Sequence, residues 1–231
     1  MIDQKLDIAV VGAGAIGGWV AAQLSLAGHR VMALTSRGPL DELEISEVDD
    51  TRTATFEQFE TPPQILIVAV KAPALEPAAA AMERLLGPDT IVLPMLNGVP
   101  WWFVDSEPLR SVDPAGAIDG VLPLDQIVGC VVHASCYRAS PNRIVVKHAD
   151  KLILGEPRGG ASDRVSMLKS LFEVAGIRCD ASDNIRRAIW YKLWGNATIN
   201  PLSALTRATA DRILADPECH AWMLEGMAEL A

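Results

Sequence analysis

The chain lacks a long apolar segment, and it lacks any excess of basic residues. The apolar run at residues 65–70 is far shorter than the roughly 20 residues that a membrane-spanning helix needs. The net charge is −9 at pH 7, and no basic stripe interrupts it. Because such a surface repels phosphate backbones and anionic lipids, we expect neither nucleic acid nor a membrane as a partner.

Cysteine is scarce and shows no pairing pattern. Cys130, Cys136, Cys179 and Cys219 form no C-x-x-C pair and no zinc-ligand spacing. No secretory signal pattern opens the sequence, so we predict reduced thiols in a cytoplasmic protein and no metal site.

Acidic residues are concentrated in one segment. Residues 41–60 hold eight acids against Arg52 alone, a net charge of −7. The acids are Asp41, Glu42, Glu44, Glu47, Asp49, Asp50, Glu57 and Glu60. We interpret residues 38–60 as irregular, with short strands at most, and the acids as a solvated face rather than a site.

A glycine-rich turn stands in an informative context. Residues 12–17 follow a strand-like run at 6–11 and open a helix-like segment that ends near Gly28. In dinucleotide-binding folds the three glycines allow a tight turn, close approach of a pyrophosphate and helix–strand packing, while the helix N-terminus binds phosphate. The predicted cofactor-binding residues here are Gly12, Ala13, Gly14, Ala15, Ile16 and Gly17.

Strand and helix patterns alternate through the first part of the chain. Apolar strand patterns at 30–35, 65–70 and 90–96, with a helix at 73–86, predict a doubly wound parallel sheet. Three later strand patterns, at 127–134, 143–147 and 152–154, could extend that sheet. A helix at 162–175 and a last strand at 176–179 follow. We therefore predict an NADP-binding Rossmann-type domain over residues 1–182.

The remainder of the chain, from residue 184 onward, has a helical pattern. One helix is predicted at 185–206, bent at Pro201, and another from 208 to the end. The expected fold class is α/β, with an N-terminal Rossmann-type doubly wound sheet followed by an all-helical domain at 183–231 for substrate binding or dimerisation. An apolar stripe that includes Trp222 and Met227 runs into the last residue, so we expect this domain to be incomplete. The alternatives are extensive packing on the first domain and a homodimer contact.

The end of the second strand indicates which dinucleotide binds. Sites that prefer NAD place an acid about 20 residues past the glycines, but here Thr35, Ser36 and Arg37 occupy this place and no acid precedes Asp41. A hydroxyl and a guanidinium suit a 2′-phosphate. We predict NADP, with Ser36 and Arg37 among its ligands. The alternative is an ordinary exposed arginine and a site that tolerates either cofactor.

Polar groups also follow other strands and share one helix face. Lys71 and Asn97 come at strand ends that should meet the glycine turn at one crevice. Lys192, Asn196 and Asn200 are spaced by four, which puts them on one face of a helix. The alternative interpretation of this ladder is a solvated stripe or a buried structural network. A lysine in a partly dry cleft has a lowered pKa and can donate a proton.

These residues resemble the ketopantoate reductase (2-dehydropantoate 2-reductase) family. The resemblance rests on residues 12–17, 70–72 and 96–99, and on the block K-L-W-G-N-A-T-I-N-P-L at 192–202. His133-Ala134 and Leu154-Gly155 also fall where similar family strands lie. The resemblance implies reduction of a 2-oxo acid by NADPH, giving pantoate in the route to pantothenate and coenzyme A. It implies Lys192 as general acid, Asn97, Asn196 and Asn200 as substrate or nicotinamide contacts, and Lys71 and Arg37 as cofactor contacts.

Two features depart from that family pattern. Family members carry a further helical stretch whose serine and glutamate bind substrate, and this is the part expected to be missing. The pair Trp101-Trp102 follows Asn97 closely, and we interpret it as core packing rather than as the wall of a bulkier pocket. Two alternatives stay open: a related NADPH-dependent reductase of another 2-oxo acid or imine, and a non-catalytic NADP-binding sensor, which would need no amine near the nicotinamide.

Overall fold

The computed structural model describes residues 5–48, 50–104 and 109–231, which form ten β-strands and seven α-helices. The strands are β1 Asp7–Val11, β2 Arg30–Thr35, β3 Gly38–Leu40, β4 Glu42–Glu47, β5 Asp50–Thr55, β6 Ile65–Val68, β7 Ile91–Pro94, β8 Gly129–Ser140, β9 Arg143–Gly155 and β10 Cys179–Ala181. The helices are α1 Ala15–Leu26, α2 Leu75–Glu83, α3 Ala117–Val121, α4 Asp163–Val174, α5 Ile185–Thr206, α6 Ala210–Ala215 and α7 Pro217–Glu229.

The first sheet has the strand order β3-β2-β1-β6-β7. Strands β2, β1, β6 and β7 are parallel, and the short β3 is an antiparallel edge. All four residues of β6 are buried, as expected for a strand covered on both faces. The chain leaves β1 toward β2 on one side and later returns to β6 on the other. This reversal opens a crevice at the carboxyl ends of the strands, the usual ligand position in such sheets.

A second sheet has the order β10-β9-β4-β5, with β8 paired to β9. The prediction that the strand patterns after residue 127 could extend the first sheet is therefore wrong. Among the described residues, Ile127 forms an isolated bridge to it, through Val92 of β7. Two long strands, β8 and β9, form a hairpin, and β9 pairs in parallel with β4 and β10. Parallel pairing between distant segments carries no local sequence signal.

The acidic segment is more regular than predicted. Strands β4 and β5 form an antiparallel hairpin, and in β4 Leu43 and Ile45 are fully buried while Glu42 and Glu44 are exposed. This period-2 alternation is typical of a half-buried strand. Asp49, counted among the acids above, lies outside the described residues.

Helix α1 lies between the two sheets. Every residue from 17 to 24 is buried, and Trp19 is only 2% exposed. A Cβ at Gly18 would lie 2.5 Å from Ile144 Cδ1 of β9, so the glycine permits close packing of the helix on the second sheet. A helix that is apolar on all sides needs this double cover. Its N-terminus, with the glycine turn, therefore faces the crevice.

Several predicted boundaries shift for local reasons. Helix α2 begins at Leu75 rather than 73, because Pro73 lies in a 3₁₀ turn at Ala72–Ala74, and Pro77 fits in its first turn. The last strand is Cys179–Ala181 rather than 176–179. Gly176, with φ of 77°, follows α4 in a left-handed conformation and so ends that helix.

The C-terminal part is helical, which confirms the predicted fold class of a Rossmann-type α/β unit followed by helices. Helix α5 has the predicted bounds. The single helix expected from 208 is instead two, because Pro217 starts α7 and the side chain of Asp216 accepts a hydrogen bond from the Cys219 N–H. The core of this part centres on three buried side chains, Leu202, Ile213 and Met223. No described helix is long and apolar enough to cross a membrane.

Candidate active site at the crevice of the first sheet

The glycine turn is tied to β2 and shaped by its glycines. The N–H groups of Gly12 and Ala13 both donate to the carbonyl of Leu34, at 2.9 and 2.8 Å. Gly12 has a φ of 94°, and a Cβ there would lie 2.7 Å from the backbone of Ala69. A Cβ on Gly17 would overlap the carbonyl oxygen of Gly12. Gly14 is exposed, and a Cβ on it would meet only that oxygen, at 3.8 Å, so its backbone faces open space.

The N-terminus of α1 is well suited to an anion. Its N-cap residue, Gly14, makes no side-chain cap, and the first turn contains no acid. The first N–H groups of a helix have no intrahelical partner, so a phosphate can accept from them. The open space at Gly14 and this uncapped end together fit a dinucleotide pyrophosphate.

A cleft of about 760 Å³ runs along this turn. It is lined by the whole predicted cofactor set, Gly12, Ala13, Gly14, Ala15, Ile16, Ser36, Arg37, Lys71 and Asn97, except Gly17, which is buried beneath the turn. Arg37 and Lys71 are exposed cations at its walls. The cleft is therefore lined by the glycine turn and by two exposed cations, which suits a dinucleotide.

The second predicted cluster forms an adjoining pocket of about 470 Å³. Lys192, Asn196 and Asn200 line it together with Asn97. Ile16, Met95 and Asn97 line both the pocket and the cleft, so the two are continuous. The structure thus brings the predicted substrate residues together beside the end of the cofactor cleft.

Lys192 is held at this junction by two hydrogen bonds. Its Nζ donates to Asn97 Oδ1 at 2.7 Å and to the carbonyl of Val132 at 2.5 Å. An ammonium group has three N–H donors, so one remains for a ligand in the pocket. Burial lowers the pKa of Lys192, an effect partly opposed by the Cys130 thiol. The amine is therefore held in one orientation, and a lysine with a lowered pKa is chemically able to donate a proton.

Helix α5 presents this face because its other face is occupied. Asn184 caps its start by accepting from the Arg187 N–H at 3.0 Å. Trp190 and Trp194 donate through Nε1 to the carbonyls of Leu230 and Met227 in the C-terminal segment. With these tryptophans directed toward that segment, residues spaced by four from Lys192 are left to face the crevice.

Two polar residues of the site were not predicted from sequence. His133 of β8 lines the pocket, and its pKa is lowered by burial and then by the charge of Lys192. Arg138, also on β8, lines the cofactor cleft and donates to the carbonyl of Ala13. Neither was assigned a role from the sequence, because no local pattern links β8 to a turn more than 100 residues earlier. The pair Trp101-Trp102 lies outside the pocket lining and is 3% and 5% exposed, which confirms the packing interpretation.

Two models of one protein family cover most of this chain. The family model described as "Ketopantoate reductase PanE/ApbA" matches residues 8–159, and the one for the C-terminal region of that family matches residues 184–231. This chain belongs to the ketopantoate reductase family. As a member of it, the chain is an oxidoreductase acting on a CH–OH group, in an NAD(P)-dependent family.

Individual relatives of this ketopantoate reductase family agree with the assignment. The 2-dehydropantoate 2-reductase of Mesorhizobium japonicum is 35% identical over 91% of this chain and 70% of its own length. A solved structure from Ralstonia solanacearum is 42% identical, with a TM-score of 0.91, over 98% of this chain and 76% of that one. D-mandelate dehydrogenase, solved with NADH and anilino(oxo)acetate, has a TM-score of 0.79 at 20% identity over 94% of this chain and 70% of that one, which shows a shared fold.

Proposed function

We propose that this chain reduces 2-dehydropantoate (ketopantoate) to pantoate with NADPH, in the route to pantothenate and coenzyme A. The observation that carries the proposal is the amino group of Lys192, which is half-buried and hydrogen-bonded to Asn97 where a dinucleotide-shaped cleft meets a polar pocket. A relative at 35% identity over most of the chain bears the name of this activity.

Lys192 acts as the general acid. NADPH, when bound, supplies the hydride to the substrate carbonyl carbon. The third N–H of Lys192 points a proton at the carbonyl oxygen, and the positive charge stabilises the alkoxide that develops there. Asn97 Oδ1 and the carbonyl of Val132 fix the ammonium so that no reorientation is needed.

The remaining polar residues bind and orient. The side-chain amides of Asn196 and Asn200 donate to the substrate carboxylate and hydroxyl, and Asn97 orients the nicotinamide or substrate. The glycine turn, with Lys71, holds the pyrophosphate, and Ser36 and Arg37 hold the 2′-phosphate. Residues 1–182 form the cofactor domain and 183–231 the substrate domain in this proposal.

The proposal also covers the location of the protein in the cell and its assembly. Four free cysteines fit a cytoplasmic protein, because thiols stay reduced there. Helix α7 exposes Trp222 and Leu224 by about half, which favours a homodimer contact or cover by further helices of the protein. Sedimentation velocity of the purified chain would distinguish a dimer from a monomer.

The first test is substrate-dependent NADPH oxidation by the wild-type chain and by Lys192→Ala. We expect ketopantoate to be preferred over other branched 2-oxo acids and kcat to fall about 10²- to 10⁴-fold in the variant. The dissociation constant of NADPH should stay unchanged, because Lys192 lines the pocket rather than the pyrophosphate cleft. An equal loss of turnover and of NADPH affinity would indicate that Lys192 has a structural rather than a catalytic role. No turnover with any oxo acid would favour a cofactor-binding sensor.

The second test concerns the cofactor. Arg37→Ala should weaken NADPH binding about 10- to 100-fold and NADH binding little, because only the 2′-phosphate forms charge-assisted bonds with it. Equal effects on both cofactors would contradict this role. The test matters because D-mandelate dehydrogenase of the same fold binds NADH.

A reductase for a different 2-oxo acid is the second candidate function. The observation that favours it is the shared fold with D-mandelate dehydrogenase, whose bound anilino(oxo)acetate is not ketopantoate. The same assay separates the two, since this candidate predicts faster NADPH oxidation with an aromatic 2-oxo acid than with ketopantoate.

A further inference from the structure

Arg138 reaches from the second sheet to the glycine turn. It lies on β8 beside a register irregularity between Arg138 and Ser140, and irregularities of this kind re-aim side chains. Its guanidinium donates to the carbonyl of Ala13 in the turn and to the carbonyl of Pro141. Arg138 therefore lines the same cofactor cleft as Ser36 and Arg37.

The two arginines of this cleft are not neutralised. In the described part of the chain, neither Arg37 nor Arg138 forms an ion pair with a carboxylate. Other arginines do pair, among them Arg30 with Asp7, Arg52 with Glu47 and Arg164 with Glu156. This contrast is notable in a chain with 29 acids and 20 bases.

The charges of these two arginines also act on each other. The pKa of Arg138 is lowered mainly by burial and further by the positive charge of Arg37. Two neighbouring cations without a counterion repel, and a dianion placed between them would relieve that repulsion. The positive charges of Arg37 and Arg138 thus favour binding of an anion in the cleft.

We propose that Arg138 is a second ligand of the cofactor 2′-phosphate and, with Arg37, determines the preference for NADPH over NADH. The inference rests on the proposed NADPH-dependent function. The end of β2 is where dinucleotide folds hold the 2′ position of the adenosine ribose, whereas the pyrophosphate lies at the helix N-terminus. Guanidinium groups bind phosphate through paired, charge-assisted hydrogen bonds, and two of them match its double negative charge.

The experiment measures dissociation constants of NADPH and NADH by titration calorimetry for the wild type, Arg138→Ala and Arg138→Gln. We expect both substitutions to raise the dissociation constant of NADPH about tenfold or more and to leave that of NADH within about twofold of the wild-type value. Arg138→Gln keeps a donor for the Ala13 carbonyl but loses the charge. Retention of wild-type NADPH affinity in that variant would overturn the proposal.

Arg143→Ala serves as the matched control, and two adenosine fragments test which phosphate Arg138 binds. Arg143→Ala removes an arginine of the adjoining strand that faces Glu44 and Ser46 rather than the cleft, so it should change neither cofactor's affinity. Adenosine 2′,5′-bisphosphate should lose affinity for Arg138→Ala, and adenosine 5′-monophosphate should not. Parallel losses for both fragments or both cofactors would assign Arg138 to the turn or pyrophosphate instead, leaving the proposed function intact. A wild type that binds NADPH and NADH alike would refute the proposed cofactor itself.

Discussion

Lys192 should give the reaction a characteristic pH dependence. Reduction requires the protonated amine, and its fraction falls as the pH rises through the pKa, which burial lowers from the ordinary 10.5. We therefore expect kcat for reduction to decline on the alkaline side at a pH below the usual lysine range. The reverse oxidation, which needs the free amine, should rise over the same interval.

The measurement is kcat against pH in both directions. Lys192→Arg retains a charge that does not titrate in this range, so any residual activity of that variant should lack the alkaline limb. A wild-type rate that stays constant up to the ordinary lysine pKa would argue against Lys192 as the acid.

The sequence predicts single residues well where the signal is local. Lys192, Asn196 and Asn200 could be grouped because helical spacing alone places them on one face. Arg138 could not, since its position depends on pairing between β8 and β9 and on the packing of that hairpin over a turn far away in sequence. The pKa shift of Lys192 likewise depends on burial, which only the tertiary structure supplies.

At the scale of elements, the turn between β1 and α1 contains one glycine that we expect to be needed for folding and another that we expect to be needed for cofactor binding. Gly12→Ala should lower the free energy of unfolding by about 1–3 kcal/mol. The left-handed φ is strained for alanine, and the added Cβ would clash with the Ala69 backbone. Gly14→Ala meets open space, so it should fold normally but weaken NADPH binding. Urea unfolding and cofactor titration check the pair. Equal stability loss in both variants would contradict this division.

The ion pair between Glu156 and Arg164 links the end of β9 to α4. Arg164 also donates to the carbonyl of Ile127, at 3.0 Å, and Ser162 donates to Glu156. We expect Glu156→Gln to lower the free energy of unfolding at pH 7 by about 1.5–3 kcal/mol. The exposed pair of Lys169 and Glu173 is the control, and Glu173→Gln should cost less than about 1 kcal/mol.

This contribution should also depend on pH. The hydrogen bond from Arg164 holds the pKa of Glu156 below its ordinary 4.5, so the folded carboxyl ionises more readily than the unfolded one. Its stabilisation is present above pH 4.5 and is lost as the pH falls through the lower folded value. Urea unfolding at neutral and acidic pH should therefore show that the free energies of unfolding of the wild type and Glu156→Gln become equal in acid. A difference that persists there would exclude the ion pair as its source.

Elements were predicted unevenly, and the reasons are physical. Helix α5 was recovered from end to end because its cap, periodicity and apolar content agree. The hairpin β4–β5 was missed because its many acids mask the alternation of Leu43 and Ile45. The break before α7 was missed although Asp216-Pro217 is a visible helix start.

For the whole molecule, stability should be uneven along the chain. The sheets bury two large apolar clusters, whereas the helical part from α5 to α7 centres on three buried side chains. We expect amides of α6 and α7 to exchange hydrogen far faster than those of β1 and β6. Hydrogen exchange followed by mass spectrometry tests this. Equal protection in the helices and the sheet would mean that the chain unfolds as one cooperative unit.

The pairing of β4 with β9 has a consequence for synthesis on the ribosome. Glu44 emerges early, but its partner Arg143 is made much later, so β4 stays an open strand edge while the nascent chain grows. Charged side chains on an open edge hinder pairing with a neighbouring chain. We therefore expect Glu44 and Glu47, which lie within the segment of β4 that pairs with β9, to disfavour pairing of this edge with a neighbouring chain before β9 is made.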